Sequence, residues 1–559
     1  VATNVPYLGR SLQTETLKSF ADRLFPTSRA DLATVFVERS LSLTGTAGTC
    51  AVVTPQNWLF LKSYEEFRRK LLRSQSWNLL ARLGAQAFQT PMWDFNIGLF
   101  IVTHRRPTEN HEMGGMDVSR NRKPVEKANL LRNDPIRFIG QESELRNPDT
   151  RITLEKAEPG TLLLNYADGL QGISPADYPR FGRCFWELPR LVEGWQWYQG
   201  TVSSTIAFGG RERILWFDTL LRAAQELGSA IRGRAAWGKW GVAISQIGKL
   251  SANLYTGDLF DNNVAALIPH DKALLPALWA YCQSPTFHDQ VRRIDQKLYV
   301  QNATLVKVPF DLGYWQSVAD AAGPLPEPYS NDPTQWLFGG HPVGSTDTLQ
   351  VAVSRLLGYR WPQQAEDDLG AFADTDGIVC LPAVAGETPA AERLRGLLAH
   401  AFAHPPTLPD FERYRVGDSV PTTPVPPDAG WSAETQEHLL AYAGFGGKTL
   451  DDWLADGFFS QHCKLFHNRP FIWHIWDGRK DGFAALVNYH RLNRANLEKL
   501  TYTYLGAWIS RQRQERDAGS GGADGRLVAS LALQKKLISI LEGEGSPDGS
   551  RGTLDIRLA

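Results

Sequence analysis

The sequence predicts an α/β protein: a partial, mixed sheet at the N-terminus, a second α/β region, and a mainly helical C-terminal region. Three observations lead there. Over residues 1–108, segments with helical apolar spacing alternate with short apolar runs of strand length. Residues 128–312 mix short strands with helices, and beyond a Pro- and Gly-rich connector most segments read as helices. The chain has 559 residues, 43% of them hydrophobic and 21% charged, enough for about three or four domains with substantial cores.

In chain order, residues 33–43 repeat apolar side chains at helical spacing, 49–54 form a short buried strand, and 64–72 are amphipathic. Two strand-like runs, 79–83 and 97–103, follow with a loop between them. The polar stretch 105–127, with its Gly, Asn, Pro and charges, reads as a linker. The second region is expected over 128–315, with helices at 217–228 and 273–282. A connector is expected over 316–365 and the mainly helical region over 366–559, interrupted by the proline-rich loop 416–430. Residues 518–525 are glycine-rich and read as a mobile turn.

Composition excludes several classes. Cys50, Cys184, Cys282, Cys380 and Cys463 lie far apart, with no C-x-x-C pair or Cys/His cluster. A zinc ribbon or disulfide scaffold is therefore not expected, no metal is expected, and a reducing cytoplasm fits. No run of about 18 apolar residues is present, so no membrane span is expected, and the N-terminus does not read as a signal peptide. A formal net charge of −1 argues against a small basic nucleic-acid-coating protein, although a large protein can still gather its cations in one cleft.

The residues that carry chemistry are Asn4-Val5-Pro6-Tyr7, after what reads as the end of a strand. An exocyclic adenine amine is a poor nucleophile because its lone pair is delocalised into the ring. Acceptors that draw the amine toward tetrahedral geometry, such as an Asn oxygen and a backbone carbonyl, correct this. A Tyr ring can stack on the extruded base, and a Pro holds the turn open. The plain alternative is an extended turn before a helix, since four residues can match by chance.

The tetrad resembles the N-P-P-Y motif of N6-adenine DNA methyltransferases of the phage-defence type, with Val5 where the first Pro is usual. Related enzymes acting on RNA carry an aliphatic residue there, which keeps an RNA substrate open. Residues 29–39, the strand-like run 48–56 and residues 88–106 are similar to the family's helix, strand end and closing hairpin. Residues 294–311, 469–474 and 482–491 resemble the methyltransferases of the BREX and DISARM systems. The resemblance implies a partial class I (Rossmann-like) methyltransferase sheet over 1–108, a target-recognition domain over 128–315, S-adenosylmethionine as cofactor, and double-stranded DNA and other defence proteins as partners. Asn4, Val5, Pro6 and Tyr7 would be catalytic, with Phe88 and Trp93 in the wall of the target-base pocket. The family's Gly-rich cofactor loop precedes the motif, so it is expected upstream of this chain, which is read as part of a longer protein.

Candidate DNA-contacting residues are Arg232, Arg234, Trp237 and Lys239 in a basic and aromatic stretch, and Lys297, Asn302 and Lys307 in a second strip. A third group, Arg479, Lys480, His490, Arg491 and Arg494, reads more readily as an exposed helix face, and His474 as a core histidine. The implied activity is adenine N6 methylation at a specific DNA site, marking self DNA. The alternative is a non-catalytic DNA-specificity or scaffold subunit of a defence complex.

Overall fold

The computed structural model describes residues 1–89, 95–119, 121, 123–154, 161–295, 297–406, 425–426 and 429–543. The chain forms two compact units, one of residues 1–167 and 284–315, the other of residues 168–283 and 316–559. Both are α/β. Among the described residues, no helix is long and apolar enough to cross a membrane.

The first unit is built on a six-stranded mixed sheet. Strand β1 (Ala2–Asn4) leads through helices α1 (Glu15–Leu24) and α2 (Leu32–Ser42) to β2 (Thr49–Pro55), which lies parallel to it. A parallel pair requires such a crossover. Helix α3 (Glu65–Ser74) precedes β3 (Ser76–Gly84), and β4 (Ile97–Thr103) inserts antiparallel between β2 and β3. Strand β5 (Glu112–Asp117), helix α4 (Pro124–Asn133) and strand β6 (Arg137–Gly140) complete the order β1-β2-β4-β3-β5-β6. The expected helices at 33–43 and 64–72 and strands at 49–54, 79–83 and 97–103 are present within one to three residues at their ends.

The expected linker at 105–127 is corrected: β5 lies inside it and pairs with β3 and β6. Its sequence, Glu-Met-Gly-Gly-Met-Asp, carries no strand signal because the glycines serve clearance. A Cβ on Gly114 would stand 2.9 Å from Ile136, and one on Gly115 would stand 3.0 Å from Leu154. Met113 is fully buried beside them.

The core of this unit is aromatic. Trp77 and Phe100 meet edge to face at 4.5 Å, and Trp58 contacts Phe67, Phe100 and Trp77 at 5.4, 5.4 and 5.8 Å. Each pair contributes about 0.5–1.5 kcal/mol beyond its buried area. Arg68 is fully buried, and burial, helped by neighbouring Arg151, lowers its pKa to about 9. Its guanidinium donates to the carbonyls of Thr150 (2.8 Å), Asp149 (2.7 Å) and Leu61 (2.8 Å), tying the 149–150 turn to α3.

The second unit contains a sheet in the order Leu259–Phe260, Trp195–Gln199, Arg213–Trp216, Gly182–Cys184. Strand Gly241–Ser245 pairs antiparallel with Ala252–Tyr255 and Val264–Pro269. Helix Phe217–Leu227 stands where expected, and the expected helix at 273–282 is a short 3-10 turn followed by Leu275–Cys282. Its later part is mainly helical around a three-stranded sheet of Ile378–Cys380, Ala484–Asn488 and Ile472–Trp476. The glycine-rich run expected to be mobile at 518–525 is shorter: helix Ala523–Glu542 begins inside it, with Ala523 fully buried. Most of the expected loop at 416–430 lies outside the described residues.

Candidate functional site

Asn4 is the last residue of β1, in register with Val53 of β2, and its side chain is exposed. Val5 turns inward, 3% exposed within the aromatic core, and donates its N–H to the Val53 carbonyl at 3.3 Å. Pro6 is exposed and Tyr7 is half-buried. The Tyr7 hydroxyl donates to Asn4 Oδ1 at 3.1 Å. Burial, with a smaller contribution from Asp31, raises the Tyr7 pKa, so the hydroxyl stays protonated and remains a donor.

The loop is clamped on its far side by the start of α2. Leu8 donates its N–H to Asp31 Oδ1 (3.3 Å), and its carbonyl accepts from Leu32 N–H (3.0 Å) and Gln13 Nε2 (3.0 Å). The same Asp31 oxygen caps α2 by accepting from Ala33 N–H at 2.8 Å. One carboxylate thus sets both the helix start and the loop. Asp31 stands in the run 29–39 that resembles the family's helix, but nothing in the sequence marks it as a partner of Leu8.

An amide oxygen has two acceptor positions. Tyr7 occupies one on Asn4, and this orients the carboxamide and leaves acceptor capacity for an amine. Among the described residues, the ring that reaches Tyr7 is Phe95, at 5.9 Å with planes tilted 36°. Beside it, Gln56 N–H donates to the Asn96 carbonyl (2.8 Å) and Gln56 Oε1 accepts from Gly84 N–H (3.3 Å), anchoring the start of β4 and the end of β3 to the end of β2. Phe88 is exposed at 47%, and Trp93 lies outside the described residues. The sequence had no means of selecting Phe95 from among the aromatics of its run.

In the second unit, Arg232 donates to Gln171 Oε1 at 2.8 Å, and the Arg234 guanidinium lies over the Trp237 ring at 5.6 Å. Trp237 packs edge to face on Phe217 at 5.5 Å, so it supports the stretch from beneath. Arg232, Arg234, Lys239 and Trp240 are exposed. Gly233, at φ +78°, makes the corner between the two arginines, and a Cβ there would sit 2.7 Å from the Phe260 ring.

The first unit holds the other candidates. Lys307 Nζ is bound by both oxygens of Asp149, at 2.7 and 2.6 Å, and its side chain is only 16% exposed. Burial acts to raise the Asp149 carboxyl, but Lys307 and Arg151 outweigh it and hold the acid below its ordinary value. Lys297 and Asn302 are half-buried, and Lys297 N–H donates to Asp295 Oδ1 at 3.0 Å. Lys307 is thus committed to Asp149.

The third group is largely structural. Arg491 donates to the carbonyls of Asp374 and Gly358, His490 meets the Trp186 carbonyl at 2.8 Å, and Arg494 donates to the Leu541 carbonyl. Burial lowers the His474 pKa, consistent with a core histidine. The cysteines are free; burial raises the pKa of all five thiols, Cys184 and Cys380 to about 12.

Residues 1–88, spanning β1 to β3 and the Asn4–Tyr7 loop, match the family described as Eco57I restriction-modification methylase. Over 88 residues, 16% of this chain, the sequence is 41% identical to the adenine-specific methyltransferase BrxX of Escherichia coli O9:H4 (strain HS). Over 89 residues it is 37% identical to the adenine-specific methyltransferase PglX of Lacticaseibacillus casei (strain Zhang). Each match spans 7% of the relative's own length. Among solved structures, the Type IIL restriction-modification enzyme MmeI in complex with DNA aligns at 11% identity and a TM-score of 0.37, covering 74% of this chain and 55% of that one. A nuclease-deletion mutant of the Type ISP enzyme LlaGI aligns at 11% identity and 0.36, covering 57% and 41%.

Proposed function

We propose that this protein is a site-specific N6-adenine DNA methyltransferase that uses S-adenosylmethionine and marks self DNA in phage defence. The observation that carries the reading is the loop after β1: an exposed Asn4 carboxamide, oriented by the Tyr7 hydroxyl at 3.1 Å and seated at the carboxyl end of a parallel strand pair. Ligands of open α/β sheets bind at that edge. In this reading β1–β6 are part of a class I methyltransferase sheet.

Asn4 Oδ1 and the Val5 carbonyl accept the two amine hydrogens of an extruded adenine, which localises the nitrogen lone pair for attack. Pro6 shapes the turn. Tyr7 stacks on the base, with Phe95 extending the apolar wall. S-adenosylmethionine, when bound, supplies an electrophilic methyl group. The residues described at this edge fit the acceptor base and are assigned no part in holding the cofactor. Arg232, Arg234 and Lys239 contact phosphates of double-stranded DNA, and Lys297 and Asn302 are further contacts. Lys307 is left out because Asp149 holds it. The setting is the cytoplasm, where the host DNA to be marked lies.

The test is the N6-methyladenine content of DNA from cells producing the protein, compared with its Asn4→Ala variant. The reading requires methylation at a fixed sequence, reduced about a hundredfold or more by the substitution. Methylation unchanged in the variant removes the role of Asn4. Specific duplex binding without methylation in either protein leaves a DNA-specificity or scaffold subunit instead.

A further inference from the structure

We infer that Asp368, His400 and His404 form a zinc-binding site. Sequence reading finds no metal-ligand spacing, but the fold of the second unit assembles one. Helix Ala390–Ala403 carries His400 in its last turn and ends on His404 as its C-cap. Residues four apart share a helix face, and the two rings lie 4.4 Å apart. The turn Asp368–Phe372 packs against that face, with the Phe372 ring 5.1 Å from His400 and Asp368 Oδ2 2.6 Å from His400 Nε2. One potential ligand atom from each of the three residues lies within 4.8 Å of the others.

The second ring supplies the third donor. His404 Nδ1 lies 3.1 Å from the His400 carbonyl, which can only accept, so Nδ1 is the donor and, in the neutral ring, Nε2 is the nitrogen with a lone pair for a metal. Metal-ligating histidines are held in this way, one ring nitrogen donating to a carbonyl while the other binds. The His400 carbonyl also accepts the His404 backbone N–H, so the helix C-cap fixes the second imidazole beside the Asp–His pair. Two imidazoles and one carboxylate, with side-chain exposures of 28% at His400 and 61% at Asp368, match a three-ligand zinc site completed by water. Ligand atoms about 2.0–2.1 Å from a tetrahedral zinc stand about 3.3 Å apart. The Asp368–His400 contact, now 2.6 Å, therefore opens by about 0.7 Å on binding. The ion would tie the 368–372 turn to the helix end.

Calorimetric titration of zinc into chelator-treated full-length protein, with thermal melting, tests this. One equivalent should bind and raise Tm by about 3 °C or more. His404→Gln and Asp368→Asn, both at exposed positions, should each weaken binding at least about tenfold while melting like the zinc-free parent. Cobalt should give a tetrahedral visible absorption band that either substitution removes. His288→Gln, at a half-buried histidine of the other unit, should leave zinc binding unchanged. A parent that binds no zinc at 100-fold excess over protein, or variants that bind as tightly as the parent, would overturn the site.

Discussion

The loop after β1 and the basic stretch 232–240 are both short and partly exposed, yet they are held differently. The loop is pinned at each end by hydrogen bonds to other elements: Val5 to Val53, and Leu8 to Asp31, Leu32 and Gln13. Within it Tyr7 orients Asn4. The basic stretch is supported from below by Trp237 on Phe217, while the ends of Arg234 and Lys239 stand in solvent. A group that must meet a reacting atom needs its position set to a fraction of an ångström. A cation meeting a phosphate needs mainly exposure and charge.

Four measurements break or sharpen that contrast. The largest effect is expected at Tyr7. Tyr7→Ala should lower methylation about ten- to a hundredfold through lost stacking, whereas Tyr7→Phe, which loses only the hydrogen bond to Asn4, should cost about fivefold. Equal losses in both would show that the hydroxyl, not the ring, is what counts. Next, replacing Arg232, Arg234 and Lys239 together with Ala should lower duplex affinity and flatten the salt dependence, by about one unit of log–log slope for each phosphate no longer neutralised. The melting temperature should not move. An unchanged slope would remove this stretch from the proposed DNA contacts.

The third concerns the unit that carries the loop. Glu144 is buried and accepts from Asn147 Nδ2 (2.6 Å) and Thr153 N–H (3.0 Å); burial outweighs these bonds and raises its pKa from 4.5 to about 7. The folded state therefore favours the protonated acid. That stability is fully present below pH 4.5, falls as pH rises, and is gone above about 7. Glu144→Gln should flatten this part of the Tm–pH curve, and a curve of unchanged shape would contradict the assignment. The smallest effect is Val5→Pro, which moves the loop toward the family motif but removes the bond to Val53. A loss of about 1 kcal/mol in chemical unfolding is expected, and none would mean that the bond is not needed to seat the loop.

Much of the first sheet was legible because its signals are local. The spacing of Ala33, Val37 and Leu41 marks a helix, and the apolar run 97–103 marks a strand, whatever they later pack against. Strand β5 was not legible, because Gly114 and Gly115 are there for clearance from Ile136 and Leu154. Nor was a unit that the chain leaves at residue 167 and re-enters at 284. In the site, Asn4 to Tyr7 could be read as a motif, whereas Asp31 and Phe95 could be found only through their contacts.

The order of residue types along the chain was enough to place the α/β elements, the Asn-Val-Pro-Tyr turn at a strand end and the basic stretch, because each depends on neighbours a few positions away. Packing alone decided that Lys307 closes on Asp149 from 158 residues away, that Trp237 faces inward, and that Asp368 meets His400 beside His404. These are choices of partner between groups with several chemically equivalent options, and only the tertiary placement of the elements that carry them selects among them.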